Sequence, residues 1–451
     1  MTIRPLLLVP VSLALGSCCT DPIDGSSYFC LGDMSLAEEV ELGTSYAPII
    51  DAQYDGVYAD PQADQYLGGL IEEMASHSVY AGQLDWKFSI LNTSIPNAFA
   101  VPGGYVYITR GLLAAMETEG QFISVMGHEL GHVEHRHSHR AMGRQAIGGV
   151  LVGVLGATEN AVFETDTGIL STVGEAGAGL VMLSYDRGQE SQSDERGIYF
   201  AAEMGYDPME AVKTFEYFQK LEDESGGGNS IEWLRTHPLN STRIEAIEQK
   251  VRTMYPELVD RPQSSFRPYA SGNTQFQTVA ARFQKVQPVY DRYDQAYAAL
   301  NQAMEQDDAS AIKSAIQTIE GCANDLPSEA LFPAASGMGY LALEQRGPAK
   351  TALTRAIQLD DQYMPSRKLW KPRFFLGALL NEQGDHAGAK TALVDSTEAF
   401  PYHPAPFYEL GLAYEGLGRK SEATAAFQKV IEVENDPNGT YTQKAKTRLG
   451  S

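Results

Sequence analysis

Gly127-His128-Glu129-Leu130-Gly131-His132 is the stretch from which the rest of this chain can be read. Residues four apart share one face of an α-helix, so a helix here would bring the imidazoles of His128 and His132 to one point. Both could then reach a single cation, with Glu129 beside them as a base. Zinc suits such donors, because it binds neutral imidazole and carboxylate and leaves a fourth position open. It also brings bound water towards a pKa of about 7, within reach of a carboxylate that takes the proton. The competing reading is a solvated histidine stripe, since five of the nine histidines fall between 128 and 139.

A third ligand has two possible sources. One metzincin-type arrangement needs a His six residues after the second, but position 138 is Ser138. The other takes a carboxylate from a later helix, and Glu190-Ser191-Gln192-Ser193-Asp194 supplies one on a segment that reads as helix through Phe200. Asp194 lies one turn beyond Glu190, placed to hydrogen-bond a ligand imidazole and fix its tautomer. His135 and His139 lie near the face of His132 and are expected at the surface or behind the ligands.

Upstream of this segment, Ser35 and Glu38 make a capping box for a first helix, and Asp60-Pro61 starts a second that runs to about Met74. Asp85 to Leu91 alternates in polarity and reads as a strand. Two short strands follow at Ala98 to Val101 and Tyr105 to Ile108, joined by the turn Pro102-Gly103-Gly104. A helical pattern then runs from Gly111 to about Met142. Residues 143–183 are rich in Gly and Ala, and their apolar stretches are too short to span a bilayer. They are expected to form a buried helix or a membrane-leaning surface.

Downstream, prolines at 256, 262 and 268 mark irregular chain, and then the composition shifts to Ala-rich helix. That part repeats. Leu376-Gly377 recurs as Leu410-Gly411, Gly384 as Gly418, Ala389 as Ala423 and Leu393 as Phe427, each 34 residues on. These are the small and large positions of a tetratricopeptide repeat, a helix pair of that length. An earlier copy spans Leu341 to Leu359, and a weaker pair about 288–325. Stacked helix pairs form a concave surface that holds proteins or peptides.

The N-terminus reads as an export signal, with Arg4, then an apolar run from Leu6 to Leu15, then Leu15-Gly16-Ser17-Cys18. Ending on a cysteine resembles a bacterial lipobox with Cys18 lipidated; an ordinary cleaved signal is the alternative. Cys19 rather than Asp follows, which in a Gram-negative cell implies the outer membrane. Cys19, Cys30 and Cys322 remain, and spacing alone does not assign a bridge among them. Thirty-four basic against 58 acidic side chains leave a formal charge of −24, which excludes nucleic acid as a main partner.

Taken together, these motifs resemble the gluzincin metalloproteases of the HtpX and CAAX prenyl protease type, and most closely their periplasmic beta-barrel assembly-enhancing branch. The resemblance rests on Asn97 through Leu113, on Gly127 to His132 with Arg136-His137-Ser138, on Glu190 and Asp194 followed by Gly197, and on Thr236-His237-Pro238-Leu239 with Arg243-Ile244. Gln192-Ser193 departs from the commoner charged-Ala pair, and a Gly-rich insertion occupies 225–230. The resemblance implies one zinc ion on His128, His132 and Glu190, with Glu129 as catalytic base. It implies His237 near the open metal position, either stabilising an oxyanion or occluding the metal, and Arg243 as an ion-pair support. The strand through Asn97, Ala98, Phe99, Ala100 and Val101, or that through Tyr105 to Ile108, would pair with substrate backbone.

The expected fold is mainly α with a small β-sheet: a zincin-like catalytic domain, then an all-α tetratricopeptide-repeat solenoid. The expected boundaries are 1–17 lipoprotein signal, 18–35 tether, 36–255 metalloprotease domain, 256–285 linker and 286–451 repeats. The expected activity is zinc-dependent hydrolysis of peptide bonds in unfolded or misassembled envelope proteins. The alternative is a proteolytically silent assembly scaffold acting through the repeats. Expected partners are polypeptide substrates, envelope assembly machinery through the repeats, and a membrane through the lipid anchor alone.

Overall fold

A computed structural model describes residues 17–30, 34–141, 185–224, 231–239, 241–267 and 274–450. The signal sequence, the Gly/Ala-rich stretch 143–183 and the insertion 225–230 lie outside the described residues, apart from Ser17.

The first described element is a hairpin. Strands β1 (Ser17–Thr20) and β2 (Ser27–Cys30) pair antiparallel, and a Cys19–Cys30 disulfide with a Cα–Cα separation of 5.8 Å closes them. Among the described side chains Cys322 is a free cysteine, buried among the repeats. Residues 17–30 are therefore not the free tether expected from their polar composition. Asp21 is buried, and its carboxylate accepts from Ile23 and Asp24 backbone N–H groups and from His135 and Arg140. A short polar loop becomes ordered when a disulfide and a buried carboxylate fix both its ends.

Helix α1 (Leu36–Gln53) starts at the Ser35–Glu38 capping box, and α2 (Pro61–Ser76) at Asp60 with proline at its first position. A three-stranded sheet follows, in the order β3 (Lys87–Leu91), β5 (Tyr105–Thr109), β4 (Ala98–Val101). β3 runs parallel to β5, and β4 antiparallel to it. In the turn between β4 and β5, Gly103 has φ +82°, and a Cβ there would lie 2.6 Å from the Glu39 carbonyl oxygen of α1. Glycine thus permits both the left-handed turn and its seating on α1.

The single helix expected from Gly111 to Met142 is interrupted. α3 (Arg110–Ala115) stops, and Thr118 with Gln121 caps a new helix, α4 (Glu119–Glu134). Arg136 then takes φ +54° before helix resumes at 137–141. Every residue of α4 is buried, so it is the central helix of the domain. Around it lie α5 (Arg187–Glu203), α6 (Glu210–Glu224), the short α7 (Trp233–Thr236) and α8 (Ser241–Met254).

After a short α9 (Pro256–Val259) and a 3-10 turn, α10 (Thr274–Glu305) runs for 32 residues. Phe276, Val279, Ala280 and Phe283 pack into the core around α4, and Tyr290, Tyr293, Ala296 and Leu300 into the first repeat core. The expected linker at 256–285 therefore ends in a helix that both domains share. Its apolar period carries through both halves, which proline counting does not register.

The remaining helices are α11 (Ala309–Asp325), α12 (Leu331–Ala342), α13 (Arg346–Tyr363), α14 (Trp370–Glu382), α15 (His386–Ala399), α16 (Pro404–Gly416), α17 (Lys420–Glu434) and α18 (Thr440–Leu449). They form hairpins α10–α11, α12–α13, α14–α15 and α16–α17, with α18 packed on the last. One contact repeats through three of them: Gly337 faces Leu353, Gly377 faces Leu393 and Gly411 faces Phe427, each closer than a Cβ would allow. α1 inserts against this stack, with Ile49 buried beside Trp370, Phe374 and Phe400. Arg367 pairs with Asp51 of α1, while buried Arg110 lies 3.4 Å over the Tyr290 ring and donates to Gln287 at 2.9 Å. No helix among the described residues is long and apolar enough to cross a membrane.

Candidate metal centre

The crossing of α4 and α5 positions the site. A Cβ on Gly131 would lie 2.8 Å from the Arg196 Cβ and 3.0 Å from the Ser193 Cα, and one on Gly127 would lie 3.1 Å from the Gly197 Cα. Those absences let the helix axes approach until Glu190, in the first turn of α5, reaches the His128–His132 face. Asp186 caps α5, its carboxylate accepting from the Gly188 and Gln189 N–H groups at 3.0 Å each.

Four side chains converge: His128, His132, Glu190 and His237, all buried, offer ligand atoms that lie within 4.8 Å of one another. His128 Nε2 is 3.0 Å from His132 Nε2 and 3.2 Å from His237 Nδ1. Glu190 lies 3.6 Å from His128 Nε2, 3.5 Å from His132 Nε2 and 3.0 Å from His237 Nδ1. Donors about 2.0–2.1 Å from a tetrahedral ion stand about 3.3 Å apart, so this spacing matches a zinc shell. Ring nitrogens facing each other need a proton or a cation between them, and Glu190 Oε2 is buried without a hydrogen bond of good geometry. The residues present therefore fit zinc.

The surroundings hold these donors in place. His128 Nδ1 is 3.0 Å from Asp194 Oδ1, as the one-turn spacing from Glu190 predicts. Arg243 of α8 reaches Asp194 Oδ1 and Glu190 Oε2 at 2.8 Å each, and donates to the Pro238 carbonyl at 3.1 Å. Burial would raise the Asp194 pKa, but Arg243 and His128 hold it far below the carboxylate range. Burial opposes ionisation of Glu190 too, and His237, His128 and Arg243 overcome it. His132 is driven well below its ordinary value by burial first and then by the neighbouring histidines and Arg243, so it stays neutral, as a ligand must. His237 goes the other way, because Glu190 and Glu129 outweigh its burial.

His237 follows α7 as its C-cap, with its Nδ1 at the corner of the donor set that His128, His132 and Glu190 leave open. Its Nε2 is 3.5 Å from Glu129 Oε1. The same carboxylate oxygen accepts from Trp233 Nε1 at 2.7 Å.

Sequence reasoning missed several neighbours. Trp233 is one, and its only signal is an indole four residues before His237. His137 is another: its Nδ1 lies 2.9 Å from His132 Nδ1, and its pKa is pushed down to about 3 by burial. Tyr185 stacks on the His132 ring at 4.0 Å. His135 and His139, expected at the surface or behind the ligands, are buried away from the metal donors, against Asp21 and Tyr28 of the hairpin.

Of the two candidate substrate strands, β5 is central and paired on both sides, so Tyr105 to Ile108 offers no edge. β4 is the edge. Its side chains are largely enclosed: Asn97, Ala98, Phe99 and Ala100 are buried, and Phe99 stacks on Tyr107. The Pro96 carbonyl just before it accepts from the Trp233 N–H at 3.3 Å, which ties the strand's start to the Glu129 side of the site. Cys18 lies in β1.

Comparison with known proteins agrees with this geometry. Residues 61–251 match the profile of peptidase family M48, and residues 406–437 that of a tetratricopeptide repeat. Residues 61–251 are thus similar to that peptidase family. A beta-barrel assembly-enhancing protease of Escherichia coli K12 is 30% identical over 244 residues, 52% of this chain and 48% of that protein. Its Yersinia pestis counterpart is 31% identical over 227 residues, 49% and 46% of the two chains. The mitochondrial metalloendopeptidase OMA1 of Saccharomyces cerevisiae is 26% identical over 195 residues, covering 42% and 50%. The chain thus spans about half the length of the curated relatives it matches. The M48 match contains all of His128, Glu129, His132, Glu190, Asp194, His237 and Arg243.

Proposed function

We infer that this protein is a zinc-dependent endopeptidase that cleaves unfolded or misassembled polypeptides of the cell envelope. The observation that carries the reading is the convergence of His128, His132 and Glu190 with Glu129 held alongside by Trp233. Zinc bound there would polarise the scissile carbonyl and lower the pKa of a water molecule. Glu129 takes that water's proton and passes it to the leaving amine, a general acid–base role that needs no covalent intermediate. Trp233 engages one carboxylate oxygen of Glu129, leaving the other for the water. Asp194 and Arg243 keep His128 and Glu190 oriented.

His237 occupies the corner a substrate carbonyl would need, which favours occlusion at rest over a standing oxyanion role. It must leave before substrate enters. The β4 edge aligns an extended peptide by backbone pairing, which selects unfolded chains by shape. The repeats hold protein partners, including envelope assembly machinery. The Cys19–Cys30 bridge suits an oxidising compartment, consistent with export and with a lipid on Cys18 anchoring the protein at the periplasmic face of the outer membrane.

The full-length protein with Glu129→Gln tests this reading on unfolded casein. Turnover should fall at least about 10³-fold while zinc stays bound. If cells that depend on the protein tolerate Glu129→Gln, the repeats are the working part and the scaffold reading replaces this one.

A further inference from the structure

The two histidine ligands are supported from behind in different ways. His128 Nδ1 meets a carboxylate directly, at Asp194. His132 Nδ1 meets another imidazole. With His132 Nε2 turned to the metal donors, its proton sits on Nδ1 and is donated to His137 Nδ1, 2.9 Å away. His137 then carries its own proton on Nε2 and donates it to Gln192 Oε1 at 3.0 Å. Arg140 Nη1 donates to the same oxygen at 3.3 Å, so the Gln192 amide nitrogen faces outward. It donates to Asp24 Oδ2 at 2.6 Å. Each link has one direction, and the chain ends on a carboxylate of the disulfide-closed hairpin.

Resting on the zinc reading above, we propose that His137 is a positioning residue for the metal site, and that Gln192 and the 19–30 hairpin extend its support into a relay that fixes the tautomer and ring angle of His132. The relay replaces the carboxylate that His128 has and His132 lacks. Four further contacts anchor its outer end: Asp21 accepts from His135 at 2.7 Å and from Arg140, Tyr28 bonds His139 at 3.2 Å, and Arg140 lies 4.4 Å over the Tyr28 ring. Ser193 Oγ, 3.3 Å from His137 Nδ1, buttresses the ring from α5. The hairpin is then the last structural member of the metal centre.

Outer partners of metal-bound histidines typically contribute 10–100-fold in metal affinity. The test measures zinc affinity by chelator competition on the metal-free full-length protein, with the visible absorption of the cobalt(II) form as a second readout. His137→Phe keeps the bulk and removes the acceptor; it should weaken zinc about 10–100-fold and shift the cobalt bands. His137→Asn places an oxygen near the Nδ1 position and should recover most of the loss, which a space-filling role would not allow. Gln192→Leu should act in the same direction as His137→Phe. It decides the matter if His137→Phe does not fold. The Cys19→Ser, Cys30→Ser double variant should give a smaller shift of the same sign; no shift there would remove the hairpin from the relay. Wild-type affinity and spectrum in His137→Phe, or equal losses in His137→Phe and His137→Asn, would overturn the proposal while the zinc reading stood. Wild-type protein that binds no zinc would instead remove the reading on which it rests.

Discussion

Two buried ionic clusters in this molecule look alike in composition and differ in what they lack. In the repeats, Arg373 is fully buried, pairs with Asp360 and Asp361, and donates to the Leu369 carbonyl at 2.7 Å. Its charge is matched by groups the chain itself supplies. Around α4, three imidazoles turn ring nitrogens toward one another and toward Glu190. A buried charge that meets its complement within the fold is architecture. Ring nitrogens that converge on one another with a carboxylate among them form the donor set of a cation.

Removing one member from each cluster sharpens that contrast. The largest effect is expected from Glu190→Ala, which deletes a metal donor: stoichiometric zinc should be lost by elemental analysis, and all turnover with it. Retained zinc would place the ligand set elsewhere. Next comes Arg373→Met, which strands Asp360 without its partner and should cost about 3–5 kcal/mol in urea unfolding. It should leave the metal content unchanged. Adding Asp360→Leu should recover much of that loss, because replacing a whole buried pair with apolar groups is close to neutral.

The smallest effect concerns His403, which caps α16 by accepting from the Ala405 N–H at 3.1 Å and stacks on Trp370. Burial and then Lys371 push its pKa from 6.5 down to about 4. The unfolded chain takes up this proton first, so the His403 contribution is intact above about pH 6.5 and is lost as pH falls toward 4. Between pH 7 and 5 this amounts to about 2 kcal/mol. His403→Asn keeps a capping side chain, and chemical denaturation at both pH values should show that increment gone.

How much of this was readable beforehand follows the reach of each signal. The i, i+4 spacing of His128 and His132, the cap at Ser35 and the 34-residue period are local, and local patterns survive as structure. The Gly377–Leu393 and Gly411–Phe427 contacts were legible through that period. In their earlier counterpart, Leu353 lies within the Leu341 to Leu359 stretch, but its partner Gly337 precedes that stretch and carries no signal in it. Glu190, 58 residues from His132, became legible by resemblance joined to the spacing of Asp194. Trp233, Tyr185 and the His137–Gln192–Asp24 connection depend on how separate segments pack, and no periodicity records that. The tether and the linker were misjudged for one reason: polar or proline-bearing composition predicts irregular chain, while a disulfide, a buried Asp21 and a shared apolar face on α10 impose order from a distance.

Titrating the metal-free, full-length protein with zinc addresses the core of this account most directly. The account predicts saturable binding of one equivalent per chain, a rise in thermal midpoint on binding, and loss of both in His132→Ala. A wild-type protein that took up no zinc, or a His132→Ala variant that bound it as tightly, would contradict it.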